Sequence, residues 1–322
     1  MNNLIKDASQ IPVGDSNITL SINRVTIPAP ERGAPLEVRI TAPTTGKDLP
    51  IVLLSHGHGP SLYIPSKDGY APLANFYAEH GFVVIQPTHA NSKVAGLKSD
   101  GPGGPLFFES RPKEMSLILD NLDEIEAQAS FLAGRIDRDK VAVVGHSLGG
   151  ATAGLLLGAT FNDPKANILN VDLSDSRIKT GVLLGAPGNG GDSLNEFARE
   201  NYSTVMNTGW THLNTKTLVV IGDADHSKNF TDRGPEWHAD PFHHGPGADY
   251  LLTLHGGGHG FGGVAGWDAK ETDDENAERL AVTQRMTWAY LLSALYPENA
   301  AWEKACKALK DKASEHGHIT SK

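Results

Sequence analysis

The sequence predicts an α/β protein built on a mostly parallel central sheet. Short, continuous apolar runs recur along the chain, and such runs are typical of strands that are buried on both faces. Stretches with helical periodicity separate these runs, which is the order of elements in a parallel βαβ chain. Several of the runs end at glycine-rich turns that carry serine, aspartate or histidine. We therefore expect about eight strands with helices on both faces of the sheet.

Length and charge restrict the class of protein further. The chain has 322 residues, 39% of them hydrophobic, so it can bury a large core as one domain. Its formal net charge of -10 argues against a nucleic-acid partner. We predict a single domain over 1–322 without a large cap, and the sequence does not determine its oligomeric state. Within it we expect an N-terminal extension over 1–16 and a C-terminal helical tail over 297–322. The segments 87–112 and 226–249 are expected to form loops over the functional site.

The N-terminal residues and the cysteine content predict a cytoplasmic location. The first residues lack the apolar run of a signal peptide, and no segment reaches the length of a membrane span. Cys306 is the single cysteine, so no internal disulfide is possible. A leader trimmed from the native chain would change this prediction.

The first half of the chain predicts a hairpin followed by a βαβ unit. Apolar and polar residues alternate over 17–27 and 36–41, which indicates an antiparallel hairpin at a sheet edge. A central strand is predicted at 51–55, and a helix over 71–80 leads to a second buried strand at 82–85.

The long segment 87–112 is polar and rich in glycine and proline, so we predict a loop that covers the site. Two aromatic residues near its end, Phe107 and Phe108, have two interpretations. They contact a substrate, or they hold the loop against the body of the protein.

The second half of the chain predicts the rest of the sheet and its helices. A polar excursion is expected over 161–177. Helices are predicted over 114–132, 276–295 and 300–313, and strands at 141–144, 180–184, 217–221 and 250–254.

A glycine-flanked serine follows the strand at 141–144. Residues 145–149 read G-H-S-L-G, and a small-faced helical stretch comes directly afterwards. Glycines two positions before and after Ser147 permit a tight strand-to-helix turn that lifts the hydroxyl clear of the sheet. We interpret Ser147 as a nucleophile at a helix N-terminus, where negative charge is favoured.

Two later strands end in side chains that suit a general base and its carboxylate partner. The strand at 217–221 leads to Asp223 and Asp225, and the strand at 250–254 leads to His255 and His259. A serine hydroxyl needs a base to remove its proton, and a carboxylate fixes the tautomer of the imidazole that acts as that base. The C-terminal ends of parallel strands share one edge, so we expect these groups to meet there. The serine, acid, histidine order matches the arrangement that follows a G-x-S-x-G turn in hydrolases.

These motifs resemble the α/β-hydrolase superfamily over nearly the whole chain. The resemblance rests on the loop at 56–59, the turn at 145–149, the Gly-Asp-Ala-Asp stretch at 222–225 and the Gly-His-Gly-Phe stretch at 258–261. Within the superfamily the chain looks nearest to chlorophyllase-like, dienelactone-hydrolase-like and cutinase-like polyester hydrolases. It carries a serine where dienelactone hydrolases use cysteine, and Leu148 where chlorophyllases usually have arginine, so neither substrate is transferred to it.

The resemblance implies roles for particular residues. Asp225 rather than Asp223 is the expected acid, and His259 is the expected base. The backbone amides of His58 and Leu148 are the expected donors to the oxyanion.

Residues around these groups are candidates for a substrate pocket. Gly57 lies in the loop of the first oxyanion donor, and Trp237 and Phe242 lie in the loop 226–249. The two aromatic residues can line an acyl or alcohol pocket, or they can seal a rigid covering loop.

We therefore predict a serine carboxylic-ester hydrolase that acts on a small-molecule ester through an acyl-serine intermediate, without a cofactor. The alternatives are an amidase or lactonase, a cofactor-free perhydrolase with the same triad, and a non-catalytic binding protein. Metal catalysis through His56 and His58 is a further alternative, although no carboxylate or cysteine spacing completes a zinc set.

Overall fold

The computed structural model describes residues 4–97, 108–163, 168–202, 208–267 and 271–322. Its strands are β1 Thr19–Ile27, β2 Leu36–Pro43, β3 Leu49–Ser55, β4 Val83–Pro87, β5 Ile136–His146, β6 Thr160–Asp163, β7 Ile168–Asp172, β8 Ile178–Leu184, β9 Thr208–Gly209, β10 Lys216–Gly222, β11 Tyr250–Leu254 and β12 Gly317–Ser321. Its helices are α1 Ala71–Glu79, α2 Ser110–Asp120, α3 Leu122–Gln128, α4 Leu148–Leu156, α5 Glu196–Asn201, α6 Asp240–His244, α7 Ala277–Leu295 and α8 Ala301–Lys312.

A nine-stranded sheet forms the centre of the molecule, in the order β1-β2-β4-β3-β5-β8-β10-β11-β12. In this order, the six neighbouring strands β4, β3, β5, β8, β10 and β11 run parallel. Strands β1 and β2 form an antiparallel hairpin, and β12 pairs antiparallel with β11. The predicted α/β class, the parallel sheet and the N-terminal hairpin are confirmed, with nine strands in place of about eight. The C-terminal ends of β3, β5, β10 and β11 consequently lie along one edge.

Helices cover both faces of this sheet because successive strand residues point in opposite directions. In β3, Ile51 and Leu53 join a core with Met115 of α2, whereas Val52 and Leu54 join a second core with Leu291 of α7. This alternation explains the continuous apolar runs that predicted buried strands.

The C-terminal tail differs from its prediction. Helix α8 lies within the expected helical tail over 297–322, but the last residues form β12 and pair with β11 in a register that sets Ile319 opposite Leu252. The edge of β11 supplies unpaired backbone groups, and β-branched Ile319 and Thr320 suit a strand there.

Two other segments also differ from prediction. The predicted helix over 114–132 is divided at Asn121, whose side-chain amide donates to the Leu117 carbonyl at 2.8 Å. Such a side-chain bond competes with the backbone ladder of the helix. The predicted polar excursion over 161–177 contains β7 and most of β6, which with β9 make a small second sheet in the order β7-β6-β9.

Among the helices that the structure describes, none combines the length and the apolar character needed to cross a membrane.

Candidate active site

Ser147 occupies the turn between β5 and α4 in a strained backbone conformation. Its φ of 56° and ψ of -122° are rare for a residue with a side chain. The flanking glycines are required by close backbone contact, since a Cβ on Gly145 would lie 1.9 Å from the Gly149 carbonyl oxygen and one on Gly149 would lie 2.1 Å from the Ser55 carbonyl oxygen. The Ser147 side chain is partly exposed and, within the described residues, its hydroxyl makes no hydrogen bond.

Asp225 and His259 form a hydrogen-bonded pair at the same edge. Nδ1 of His259 donates to Oδ2 of Asp225 at 2.8 Å. The carboxylate is 2% exposed, whereas the imidazole is 41% exposed. The neighbouring Asp223 is exposed and accepts a bond from the Gly256 amide instead. The turn after β10 therefore directs one carboxylate to the imidazole and the other to a backbone group.

A second imidazole, that of His238, lies on the other side of Asp225. Its Nε2 is 3.4 Å from Oδ2 of Asp225 and 2.9 Å from the Ser227 hydroxyl. Its Nδ1 donates to the Ala186 carbonyl at 2.7 Å, so the ring is fixed in orientation. His238 lies within the predicted loop 226–249, and no local motif indicates its contact with Asp225.

The charges of this cluster shift the pKa values of its members. Burial opposes ionisation of Asp225, but the charge and hydrogen bond of His259 and the adjacent His238 ring hold the pKa of the carboxyl well below its usual range. Burial also disfavours protonation of His259, yet the negative charge and hydrogen bond of Asp225 outweigh it and raise the pKa above 6.5. Asp225 therefore favours the protonated form of the His259 imidazole.

A chain of hydrogen bonds connects the loop after β3 to the backbone of His259. The Gly57 amide donates to the Tyr70 hydroxyl at 3.0 Å, and that hydroxyl donates to Nδ1 of His146 at 2.7 Å. Nε2 of His146 then donates to the His259 carbonyl at 2.7 Å. Burial is the main cause of a His146 pKa of about 3, so the ring stays neutral and keeps this single tautomer.

The amides expected to bind an oxyanion occupy two separate segments. Leu148 is the first residue of α4, and the amides at the start of a helix have no partner within it. His58 is exposed in the loop after β3. Gly57 precedes His58, and a Cβ built on Gly57 would lie 3.4 Å from the Ser147 Cβ. This loop therefore passes directly beside the serine.

The aromatic residues suggested for a substrate pocket are buried where the structure describes them. Phe108 is 0% exposed and packs edge-on against Phe161, while Trp237 and Phe242 are 1% and 5% exposed. This burial favours the interpretation in which they hold their loops against the body. Phe107 lies outside the described residues.

Two groups of side chains bear on metal binding. Both nitrogens of His56 are engaged, because Nδ1 donates to the Gly57 carbonyl and Nε2 accepts from the His89 amide. Asp225, His238 and His259 bring three potential ligand atoms within 4.8 Å of one another. The 2.8 Å contact in that set is a hydrogen bond, and an ion at about 2.0–2.2 Å from each atom would have to replace it.

The open, mostly parallel sheet with helices on both faces is the architecture of the α/β-hydrolase class. Comparison with known families agrees, since the profile of the Alpha/beta hydrolase family matches residues 51–311. The chain belongs to this family.

The chain is also similar to platelet-activating factor acetylhydrolases. The Bos taurus protein is 30% identical over 179 residues, which covers 44% of this chain and 36% of the relative. The Canis lupus familiaris protein is 27% identical over the same coverage, and the Cavia porcellus protein is 28% identical over 142 residues, 34% of this chain and 31% of the relative. The chain thus spans about a third of the length of these relatives.

Proposed function

We propose that the protein is a serine carboxylic-ester hydrolase that works through an acyl-serine intermediate. The observation that carries the proposal is the 2.8 Å bond between His259 and Asp225 at the sheet edge that also presents Ser147. Membership of a hydrolase family supports the same chemistry.

In the proposed mechanism the Ser147 oxygen attacks the ester carbonyl while Nε2 of His259 takes its proton. Nδ1 is already bonded to Asp225, which leaves Nε2 as the basic nitrogen and stabilises the imidazolium that forms. The catalytic bond between a hydroxyl and its base often forms only in the substrate complex, which agrees with a Ser147 hydroxyl that bonds to none of the described residues.

The developing oxyanion is held by the amides of His58 and Leu148, and the imidazolium returns its proton to the departing alcohol. Water then attacks the acyl-serine with His259 again as the base, which releases the acid and restores the Ser147 hydroxyl.

A short acyl group is the proposed preference, because the relatives are named for hydrolysis of an acetyl group. The resemblance to chlorophyllase-like, dienelactone-hydrolase-like and cutinase-like enzymes, the single-domain organisation with two loops over the site, and the cytoplasmic location stay predictions.

Covalent labelling tests the proposal. We expect p-nitrophenyl acetate to be hydrolysed faster than the octanoate, and a fluorophosphonate to stop turnover after adding one phosphonyl group to the peptide that contains Ser147. A chelator should leave the rate unchanged. Turnover that persists after stoichiometric labelling of Ser147, or a label on another residue that stops it, would contradict the proposed nucleophile.

The pH dependence should report the ionisation of His259. Since the base must be neutral, kcat/KM is expected to rise with pH through a pKa above 6.5 and then level off. Asp274 contributes a nearby negative charge that favours the imidazolium. Asp274→Asn should move the apparent pKa downward, while the amide oxygen can still accept the bond that Asp274 receives from Gly258.

The measurement is kcat/KM for p-nitrophenyl acetate between about pH 5 and 9, a range that spans the ordinary His pKa. Asp123→Asn, which changes a side chain that is 90% exposed on α3, serves as the matched control. An upward or absent shift in Asp274→Asn would show that another group controls the profile.

A further inference from the structure

Arg111, near the start of α2, is an arginine that is 0% exposed and whose guanidinium contacts three separate segments. Its Nε donates to the Thr152 hydroxyl at 2.8 Å, and Nη1 donates to Oδ1 of Asn91 at 2.7 Å. Its Nη2 donates to the Ser55 hydroxyl at 3.2 Å and to the His56 carbonyl. One buried cation thus joins α4, the segment after β4 and the end of β3.

Each of these contacts leads to a residue whose amide is proposed to bind the oxyanion. On the α4 side, the Thr152 hydroxyl donates to the Leu148 carbonyl at 3.0 Å. On the other side, the side-chain amide nitrogen of Asn91 lies 3.4 Å from Nδ1 of His58. The His56 carbonyl, bonded to Arg111 directly, is two residues before His58.

The burial of Arg111 is costly, so its contacts must offset the loss of water. No carboxylate forms an ion pair with it among the residues that the structure describes, and neighbouring oxygens satisfy the guanidinium instead. Burial lowers the Arg111 pKa to about 9, which leaves the group charged at neutral pH. An apolar side chain of similar volume would avoid this desolvation cost but would connect none of the three segments.

We propose that Arg111 is a positioning residue that fixes the separation of the two oxyanion amides, those of His58 and Leu148. This inference rests on the proposed ester hydrolysis. One amide lies in the loop after β3 and the other at the first residue of α4, and the planar guanidinium sets their relative positions through fixed donor directions. Because the oxyanion is present only in the transition state, an error in this separation lowers kcat and leaves substrate binding nearly unchanged.

Arg111→Lys tests the inference, because one ammonium cannot reproduce donors that diverge toward Thr152, Asn91 and His56. We expect kcat for p-nitrophenyl acetate to fall by roughly 10- to 100-fold, with KM within about threefold of the wild-type value. The inhibition constant of a trifluoromethyl ketone, whose adduct with Ser147 carries the oxyanion, should rise by the same factor as kcat/KM falls. A purely structural role would lower the amount of folded enzyme without changing the inhibition constant of the folded fraction.

Arg32→Lys is the matched control. Arg32 is also nearly buried, and it pairs with Glu114 at 2.7 Å without touching either oxyanion segment. This variant should lose thermal stability while its kcat, per fluorophosphonate-reactive site, stays within about twofold of wild type. An equal loss of kcat in Arg32→Lys and Arg111→Lys would overturn the specific role of Arg111.

Two milder variants decide the question where Arg111→Lys does not fold. Thr152→Val removes the α4 contact, and Asn91→Ala removes the contact toward His58. Each should lower kcat severalfold at constant KM and weaken the trifluoromethyl ketone in parallel. A wild-type value of kcat in both variants would overturn the role of Arg111 and leave the proposed function intact. Failure of the fluorophosphonate to label Ser147 in the unmodified enzyme would overturn the proposed function itself.

Discussion

Replacing Ser147 by alanine is expected to lower kcat for p-nitrophenyl acetate by about 10⁴-fold or more, because no other group would form the acyl intermediate. The strained turn should persist, since its glycines and the bond from the Ser147 amide to the Leu184 carbonyl do not involve the hydroxyl. The measurement is initial-rate kinetics, with the melting temperature as evidence of folding. Ser61→Ala, which changes a serine in the loop after β3, is the control and should retain activity within about twofold. Undiminished turnover in Ser147→Ala would exclude Ser147 as the nucleophile.

Asp225→Asn is expected to lower kcat by about 10⁴-fold with little change in KM. The amide can donate to Nδ1 of His259, which would place the imidazole proton on Nε2 and leave no basic nitrogen toward Ser147. The loss should be measured as kcat at several pH values, because His259 would also lose the charge that raises its pKa.

Asp223→Asn is the matched control for this change. It alters a carboxylate in the same turn, whose contact is with the Gly256 amide and not with an imidazole. It should keep nearly full activity. The opposite pattern, with activity lost in Asp223→Asn and kept in Asp225→Asn, would assign the acid to Asp223 and contradict the proposed mechanism.

The elements that carry the candidate site could be predicted from sequence because their signals are local. The apolar run before Ser147 and the glycines around it are sufficient to specify a buried strand and a tight turn. Asp225 and His259 likewise follow apolar strands directly. The choice between Asp223 and Asp225 is different, since both lie in one turn and only the backbone of that turn decides which carboxylate reaches the imidazole. The resemblance selects Asp225, whose carboxylate contacts His259 at 2.8 Å, and its role as the acid stays a prediction.

Other residues around the site could not be predicted, because their partners are distant in sequence. Tyr70 reaches His146 across 76 positions, and Arg111 reaches the His56 carbonyl across 55. Arg111 was included in a predicted loop, and nothing in the neighbouring residues indicates a buried cation. Such contacts depend on the packing of whole elements, which a local pattern does not encode. The pairing of β12 with β11 was missed for the same reason.

The neutrality of the buried histidines makes the fold sensitive to acid. Burial holds the pKa of His146 at about 3, and it holds those of His56 and His89 well below 6.5. The unfolded chain would protonate these rings near pH 6.5, so below that pH it binds more protons than the native state. Each ring then reduces the free energy of unfolding by about 1.4 kcal/mol per pH unit until its native pKa is reached.

Burial also raises the pKa of Glu114 to about 7, which opposes this trend, but it is one carboxyl against three rings. The raised pKa of His259 acts above pH 6.5 and leaves the trend below that pH unchanged. Urea midpoints should therefore fall as the solution is acidified from neutrality toward pH 5, and a flat profile would show that the three rings are not neutral in the native protein. Burial of these histidines near the candidate site would thus set a lower limit on the pH at which the protein stays folded.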